Sequence, residues 1–167
     1  MLFLETPRLI LREMTEADAP ALFTVLGDEE TMRWYPRPFT LAETEARIRR
    51  YMSLYASGAG LLGVVSKDTE ELIGDCGITW QEVEGIMEPE LGYHLRRDCW
   101  NRGFTTEAAR AVRDHAFTTP DFDYLISLIR PGNTASRRVA EKNGFTLDRV
   151  VLWRELEHCV YRVGKGA

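Results

Sequence analysis

The spacing of apolar residues along the chain alternates between helical and strand-like periods. A short strand is predicted at Leu9 to Leu11. A helix is predicted at 19–26, and a second helix begins after Thr40, a residue type favoured at N-cap positions. The predicted buried face of the second helix carries Ile48, Met52 and Tyr55.

From residue 61 the pattern changes to short apolar runs separated by turn residues. Three consecutive strands are predicted at 61–66, 72–80 and 88–95, as in an antiparallel meander. The later predicted elements are a helix at 106–117, a strand at 124–129, a helix at 134–142 and strands at 146–154 and 157–163. This order predicts an α/β fold with a mixed, mostly antiparallel central sheet of about seven strands and about four helices on both faces.

The composition is typical of a globular protein. The 167 residues, with 44% hydrophobic and 28% charged side chains, predict a single domain spanning 1–167. The formal net charge of −5 excludes a nucleic-acid binder that depends on overall positive charge. An acidic surface is better suited to cationic partners such as amines.

Cysteine and histidine are too sparse for a disulfide framework or a metal cluster. The chain has three cysteines and three histidines, which are scattered without zinc-ligand spacing. Free thiols fit a reducing cytoplasm, and the N-terminal segment lacks the basic and apolar parts of a secretory signal. We therefore expect a cytoplasmic protein with no metal, no nucleic-acid partner and no membrane partner. A monomer and a homodimer both stay open.

One glycine motif matches a nucleotide-binding pattern but stands in the wrong context. GAGLLG at 58–63 satisfies G-x-G-x-x-G. In dinucleotide-binding folds these glycines follow a strand and begin a helix, whose free N–H groups meet the pyrophosphate. Here a predicted helix precedes the motif and a predicted strand follows it. A loop that ends a helix is therefore the favoured interpretation.

The segment at 90–112 has the pattern of a phosphate-binding loop. A predicted strand ends near Leu95, Gly103 permits close backbone approach, and a helix begins at about Thr105 or Thr106. The loop between them is basic, with Arg96, Arg97 and Arg102. A helix N terminus attracts anions because its first N–H groups are unpaired. The segment predicts either a pyrophosphate site or a solvated basic loop.

A second segment, 133–145, begins another helix at the end of a buried strand. Asn133 is placed to cap that helix or to hydrogen-bond a ligand across the strand end, and Ser136 lies one turn further on. Two helices that begin at strand ends can border one cleft, where open sheets often bind ligands. We therefore expect both segments to face one site.

Taken in order, these segments resemble the GNAT acetyltransferase superfamily, in particular its branch of ribosomal-protein N-terminal acetyltransferases. The resemblance covers nearly the whole chain. It rests on ETPRLILRE (5–13), LGYHL (91–95), WNRGFTTEAAR (100–110) and NTASRRVAEKNGF (133–145). It implies transfer of an acetyl group from acetyl-CoA, as co-substrate, to a primary amine. The implied acceptor is a protein N-terminal amine or a small molecule, which attacks directly in a ternary complex.

By this resemblance, the family motif Q/R-x-x-G-x-G/A aligns on Gly103, with Trp100 at its first position and Thr105 at its last. Both residues depart from the strict pattern, and Thr105 either crowds the diphosphate or donates a hydroxyl to it. The implied cofactor-binding residues form three groups. They are His94 and Leu95 beside the pantetheine arm; Arg97, Arg102, Gly103, Phe104, Thr105 and Thr106 near the diphosphate; and Asn133 and Ser136 beside the pantetheine and the sulfur.

The resemblance also suggests the catalytic residues. Glu90 is the predicted base, directly or through water, because it shares strand parity with His94 near the implied thioester site. His94 is an alternative base, and a main-chain N–H of His94 or Leu95 is the implied donor to the thioester oxygen. The family's acid tyrosine would fall at Ala140, so Ser136 is the predicted hydrogen-bond donor to the thiolate.

Aromatic residues near Pro36 and Pro38 predict an acceptor pocket. Trp34 and Tyr35 lie in this loop, and Trp80 ends a strand that is expected to point to the same region. Two other functions stay open. One is a CoA-binding sensor or partner subunit without catalysis, suggested by the missing tyrosine, and the other is a nucleotide-binding protein that uses GAGLLG.

Overall fold

The N-terminal residues form two short strands where the sequence predicted one. The computed structural model describes all 167 residues. β1 (Phe3–Glu5) pairs antiparallel with β2 (Leu9–Arg12), which in turn pairs with β3 (Gly60–Ser66). A strand of three residues is too short to show a period in the sequence, so β1 was not predicted.

Two helices, α1 (Ala19–Leu26) and α2 (Leu41–Leu54), lie between β2 and β3 and pack on each other. α2 begins where predicted, because Thr40 Oγ1 accepts the Glu43 N–H at 3.1 Å. The Glu43 carboxylate accepts the Thr40 N–H at 3.2 Å in return, which completes a capping box. The loop between the helices contains the two prolines and is not helical, as expected.

The buried face of α2 differs from the prediction at one position. Thr44, Ile48 and Tyr51 are buried, whereas Met52 is 41% exposed. Each residue of a helix is rotated by about 100° from the one before it. The inward face that passes through Ile48 and Tyr51 therefore leaves Met52 directed toward solvent, and the predicted burial of Met52 was wrong.

The remaining elements follow the predicted order. They are β4 (Leu72–Val83), β5 (Ile86–Leu95), α3 (Phe104–Ala116), β6 (Tyr124–Ile129), α4 (Thr134–Lys142), β7 (Thr146–Trp153) and β8 (Leu156–Gly164). α3 begins before the predicted position, because Gly103 adopts φ +79° and serves as its N-cap. Gly144, at φ +84°, ends α4 in the predicted left-handed conformation.

The strands form one eight-stranded sheet in the order β1-β2-β3-β4-β5-β6-β8-β7. Every neighbouring pair is antiparallel except β5 and β6, which run parallel. The mixed, mostly antiparallel sheet with four helices is thus confirmed, with eight strands in place of about seven because β1 adds one.

The helices cover the two faces of the sheet separately. On β3, Leu61 packs in a cluster with α1 and α2, whereas its neighbour Leu62 packs in a larger cluster with α3 and α4. Successive residues of a strand point to opposite faces, so these clusters define an α1/α2 face and an α3/α4 face. None of the helices is both long enough and apolar enough to span a membrane.

Candidate functional site

β5 and β6 pair at a single point and then part. Glu90 is paired with Ile126, and beyond that point side chains make the contacts between the strands. Ser127 Oγ donates to the Leu91 carbonyl at 2.8 Å, and the Leu128 N–H donates to Glu90 Oε2 at 3.1 Å. A cavity of about 1030 Å³ opens along this gap, and residues of β5, β6, α3 and α4 line it.

The cavity reaches the N terminus of α3. No side chain caps this helix, so the first N–H groups of Phe104 to Thr106 have no partner within the helix. Arg8 Nη1 donates to the Arg102 carbonyl at 2.8 Å, and the Arg8 guanidinium lies 4.3 Å from the centre of the Phe104 ring. The Arg8 guanidinium is paired with Glu107 at 2.7 Å, so the unpaired N–H groups and the helix dipole are what favour an anion here.

Two arginines of the predicted cofactor site have their side chains outside the cavity. Arg97 is exposed and forms an ion pair with Asp28 at 3.3 Å. The guanidinium of Arg102, also an exposed residue, lies 4.8 Å from the centre of the Phe104 ring. Neither residue lines the cavity. At this helix terminus the main chain, rather than arginine side chains, faces the cavity.

Asn133 and Ser136 line the cavity from α4. Asn133 Oδ1 accepts the Ser136 N–H at 3.2 Å, so the cap uses the amide oxygen and leaves the amide nitrogen available to a ligand. The Tyr93 hydroxyl lies 3.0 Å from Ser136 Oγ and donates to the Ser136 carbonyl at 3.0 Å. Burial raises the pKa of Tyr93, which keeps its phenol protonated.

Strand parity places the candidate residues of β5 on two sides of the cavity. Leu91 and Leu95 pack in the cluster of α3 and α4, and Tyr93 points to the same face. Glu90 and His94 alternate with them and point to the α1/α2 face. The role of Tyr93 was not predicted, although the alternation that groups Glu90 with His94 also directs Tyr93 toward α4.

Glu90 lies where the two parallel strands part. Gln81 Nε2 donates to Glu90 Oε1 at 3.2 Å, while Oε2 accepts the Leu128 N–H. Burial raises the pKa of Glu90 above that of an ordinary carboxyl group, although these two hydrogen bonds oppose the shift. A carboxylate with a raised pKa is a suitable proton acceptor.

A chain of three hydrogen-bonded side chains runs from the sheet to the α1–α2 loop. Asp75 Oδ1 lies 2.7 Å from His94 Nδ1, and His94 Nε2 lies 2.7 Å from the Tyr35 hydroxyl. Asp75 is fully buried and its Oδ2 has no partner. Asp75 and His94 are directly paired across β4 and β5. Asp75 was not predicted, because only the strand register brings it to His94.

The predicted aromatic pocket is present in part. Trp34 and Tyr35 line the cavity, but Trp80 does not. Trp80 shares parity on β4 with Ile78, which packs in the cluster of α3 and α4, and its ring stacks on Phe122 with centroids 5.9 Å apart. The structure therefore places Trp80 on the opposite face of the sheet from Glu90.

The glycines of GAGLLG and the thiol of Cys76 do not line the cavity. Gly58, at φ +78°, ends a helical turn, and β3 begins at Gly60, so GAGLLG runs from a helical turn into a strand and begins no helix. Cys76 is fully buried, and burial raises the pKa of its thiol. A thiol held protonated in the core is a poor nucleophile.

The chain is similar to known acetyltransferases in sequence. Residues 8–146 match the family model described as the acetyltransferase (GNAT) domain. The uncharacterized protein YkkB of Bacillus subtilis is 35% identical over 150 residues, which cover 89% of this chain and 87% of that protein. The uncharacterized N-acetyltransferase YoaA of the same organism is 30% identical over 151 residues, covering 89% and 85%.

Solved structures show the same fold. An acetyltransferase from Agrobacterium tumefaciens superposes with a TM-score of 0.82 at 32% identity, covering 98% of this chain and 94% of that one. RimL, a ribosomal L7/L12 α-N-protein acetyltransferase solved in complex with coenzyme A, superposes with a TM-score of 0.79 at 18% identity, covering 98% of each chain. Family match, curated relatives and fold agree, and the chain therefore belongs to the GNAT acetyltransferase family, as an acetyl-CoA-dependent N-acetyltransferase.

Proposed function

We propose that this protein transfers the acetyl group of acetyl-CoA to a primary amine, which attacks directly while both substrates are bound. The gap between β5 and β6 carries the proposal, since it links the uncapped N terminus of α3 to the carboxylate of Glu90. Glu90 and Leu95 are five residue steps apart along an extended strand, a distance of about 17 Å. An elongated cleft suits a cofactor whose diphosphate and thioester lie at opposite ends of an extended arm.

The residues along the cleft fit acetyl-CoA in this orientation. The N–H groups of Phe104 to Thr106 would hold the diphosphate. The unpaired edge of β5 near His94 and Leu95 would bind the pantetheine arm as an added strand. The amide nitrogen of Asn133 would donate to the same arm, because its oxygen is occupied by the helix cap.

Glu90 and Ser136 would share the proton transfers. The bound thioester supplies an activated acetyl group and a thiolate leaving group. Glu90, on the α1/α2 face, would accept the amine proton as the C–N bond forms and the C–S bond breaks. Ser136 Oγ, on the other side of β5 and in contact with Tyr93, would donate to the departing sulfur. The chain from Tyr35 through His94 to Asp75 is the alternative proton acceptor.

A CoA-binding protein without catalysis is the second candidate. Ala140 occupies the position where the family often has its acid tyrosine, and its side chain is buried. The two candidates differ in turnover. A catalyst releases CoA when amines are added, whereas a sensor binds acetyl-CoA and releases none.

The decisive experiment adds a carboxylate at the N terminus of α3. A Cβ at Gly103 would lie 3.3 Å from Arg8 Nη2, and the residue has φ +79°. Gly103→Glu should weaken CoA binding in calorimetry by about 100-fold or more, through bulk and like charge. Gly58→Glu is the matched control, because Gly58 has φ +78° and open space around it, away from the cavity. Equal CoA affinities in the two variants would refute the diphosphate site.

Turnover is measured as CoA release with a panel of amines, among them peptides with free N termini, amino acids, polyamines and aminoglycosides. Release with at least one amine, lost in Gly103→Glu, is the expected result. Binding of acetyl-CoA without release on any amine would favour the sensor and contradict catalysis.

A further inference from the structure

The arginines around the cavity fall into two groups. Arg33 and Arg37 are neutralised by Glu30 and Glu43, at 3.0 and 2.7 Å. Arg138 lines the cavity from α4, and Arg47, Arg130 and Arg154 line the rest of it. None of these arginines forms an ion pair with a carboxylate of the protein. The second group supplies positive charge that the protein itself does not balance by direct contact.

Arg130 follows β6 and is the most constrained of these arginines. Its Nη1 makes one long contact, 3.5 Å, with the Trp34 carbonyl. Its Nε is buried and has no hydrogen-bond partner. A buried guanidinium N–H without an acceptor is costly and is expected to have a partner in the working state of the protein.

Arg154 lies at the turn between β7 and β8 with φ +50°, a conformation unusual for a residue with a side chain. Its guanidinium lies 4.2 Å from the centre of the Trp153 ring, and that ring meets His158 edge-on at 5.1 Å. His158 is 8% exposed, and its Nδ1 lies 2.9 Å from the Leu156 carbonyl.

The positive charges of Arg130 and Arg154 both act on the imidazole of His158. Burial lowers its pKa, and the charges of Arg130 and Arg154 lower it further, so the imidazole between them stays neutral. Apart from Glu30 and Glu43, which pair with other arginines, the carboxylates that share a cavity lining with Arg154 are Glu82, Glu84 and Glu90. Burial raises the pKa of Glu90, and the charge of Arg154 opposes that shift. None of these carboxylates is within ion-pair distance of Arg130 or Arg154.

Arg130 and Arg154, which we call the cationic cluster, lie on the side of the sheet where the amine would enter. Leu128, on β6 two residues before Arg130, packs with Ile126 and Val160 away from the cluster of α3 and α4. Glu90 contacts the Leu128 N–H and faces the same side. The diphosphate site lies instead at α3, beyond the far end of β5. The cluster is therefore placed for the acceptor rather than for CoA.

We propose that the amine acceptor carries a carboxylate group, which Arg130 and Arg154 bind while its amine faces Glu90. The inference rests on the proposed acetyl transfer and names its substrate class. It differs from the expectation, drawn from net charge alone, that the acidic surface is better suited to cationic partners. Free amino acids and peptides with an acidic residue near the N terminus share this chemistry, and the arms of the experiment separate them.

The test compares acceptors that differ only in the carboxylate. We expect amino acids to give kcat/KM values at least 10-fold above those of their carboxamides, with spermidine lower still. Tetrapeptide amides with acidic or neutral second residues form the second arm. A preference for the acidic peptide, with poor use of free amino acids, identifies a peptide source and equally supports the carboxylate site.

Variants assign the preference to the two arginines. Arg130→Gln and Arg154→Gln should each reduce the carboxylate preference to near unity by raising KM for the acceptor, with KM for acetyl-CoA unchanged. Arg154 is exposed at a turn, so its variant is expected to fold even if Arg130→Gln does not. Arg162→Gln is the matched control, because Arg162 is exposed, stacks on Tyr124 at 4.0 Å and does not line the cavity.

Two kinds of result would overturn the inference. Carboxamides or spermidine that are acetylated as efficiently as the free acids would refute the carboxylate site. A carboxylate preference that persists in both glutamine variants would refute it too. Either result leaves acetyl transfer intact. No CoA release with any amine would instead refute the proposed function, and this inference with it.

Discussion

At the scale of single residues, the alternation of β5 explains how one strand can serve two proton transfers. Glu90 points to the α1/α2 face, and Tyr93, with Ser136, lies on the α3/α4 face. Since β6 leaves β5 after Glu90, a thioester in the gap is open to both sides. The proposed base, Glu90, and the proposed hydrogen-bond donor to the thiolate, Ser136, would therefore act from opposite sides of the acyl group.

Glu90 gives a prediction about pH. Burial raises its pKa above the ordinary 4.5, so the folded protein holds this proton more tightly than the unfolded chain. Its contribution to stability is present below pH 4.5 and is lost as the pH rises through the raised pKa. In Glu90→Gln, the free energy of unfolding measured in urea should fall less over this range than in the wild type. If the free energy of unfolding changed with pH in the same way in the wild type and in Glu90→Gln, that would contradict the raised pKa of Glu90.

The same titration governs activity, because a general base must be deprotonated. We expect kcat/KM of the wild type to rise with pH through the raised pKa of Glu90, and Glu90→Gln to lose about 10²- to 10⁴-fold in kcat. Asp75→Asn tests the alternative acceptor, since it removes the carboxylate behind His94. A larger loss in Asp75→Asn than in Glu90→Gln would transfer the role to the Tyr35–His94–Asp75 chain.

Ser136 and Tyr93 give a second residue-scale prediction. Ser136→Ala should lower kcat by about 10-fold without changing KM for acetyl-CoA, because the hydroxyl is needed when the thiolate departs. Tyr93→Phe removes its partner at 3.0 Å, so the two effects should be non-additive in a double-mutant cycle of kcat. Additive effects would show that the two hydroxyls act separately.

At the scale of elements, two glycines of the meander should behave differently when a methyl group is added. A Cβ at Gly74 would lie 2.1 Å from the His94 carbonyl, whereas a Cβ at Gly92 meets nothing within 4 Å. Gly74→Ala should therefore lower the free energy of unfolding by about 1–3 kcal/mol, because β4 and β5 must separate. Gly92→Ala should fold normally. It should instead raise the KM of the substrate that occupies the cavity beside it, since the added methyl group protrudes into that cavity. Equal stabilities in chemical denaturation would refute this packing.

The elements themselves were largely predictable, because each has a local signal. Thr40 and Asn133 mark helix starts by their capping side chains, and 124–129 is an unbroken apolar run. The two predictions that failed also have physical reasons. β1 is too short to show a period, and Met52 lies one residue beyond the face that the tertiary packing selected.

At the scale of the whole molecule, binding should stabilise the fold. Acetyl-CoA at about 100 times its Kd adds roughly 2.7 kcal/mol to the free energy of unfolding. For a chain of this size we expect Tm to rise by about 5–10 °C in a thermal shift experiment. NAD and ATP should give no shift, because GAGLLG does not begin a helix. A shift with NAD or ATP but not with CoA would contradict the account.

The candidate site was predictable where a strand end and the helix that follows it share a segment, as at 90–112 and 133–145. The end of β5, the loop after it and the start of α3 are consecutive in the sequence, so their pattern could be recognised without the fold. Asp75 reaches His94 through strand register, and the pairing of β6 with β8 brings Ile129, beside Arg130, opposite Cys159, beside His158. Trp80 was predicted to line the acceptor pocket, but its parity on β4 directs its ring to the opposite face of the sheet.

The most direct measurement is a crystal structure of the protein with CoA bound. The account predicts the diphosphate on the N–H groups of Phe104 to Thr106 and the sulfur in the gap between β5 and β6, beside Ser136. A complex with CoA bound elsewhere, or with this gap filled by the protein's own side chains, would contradict it.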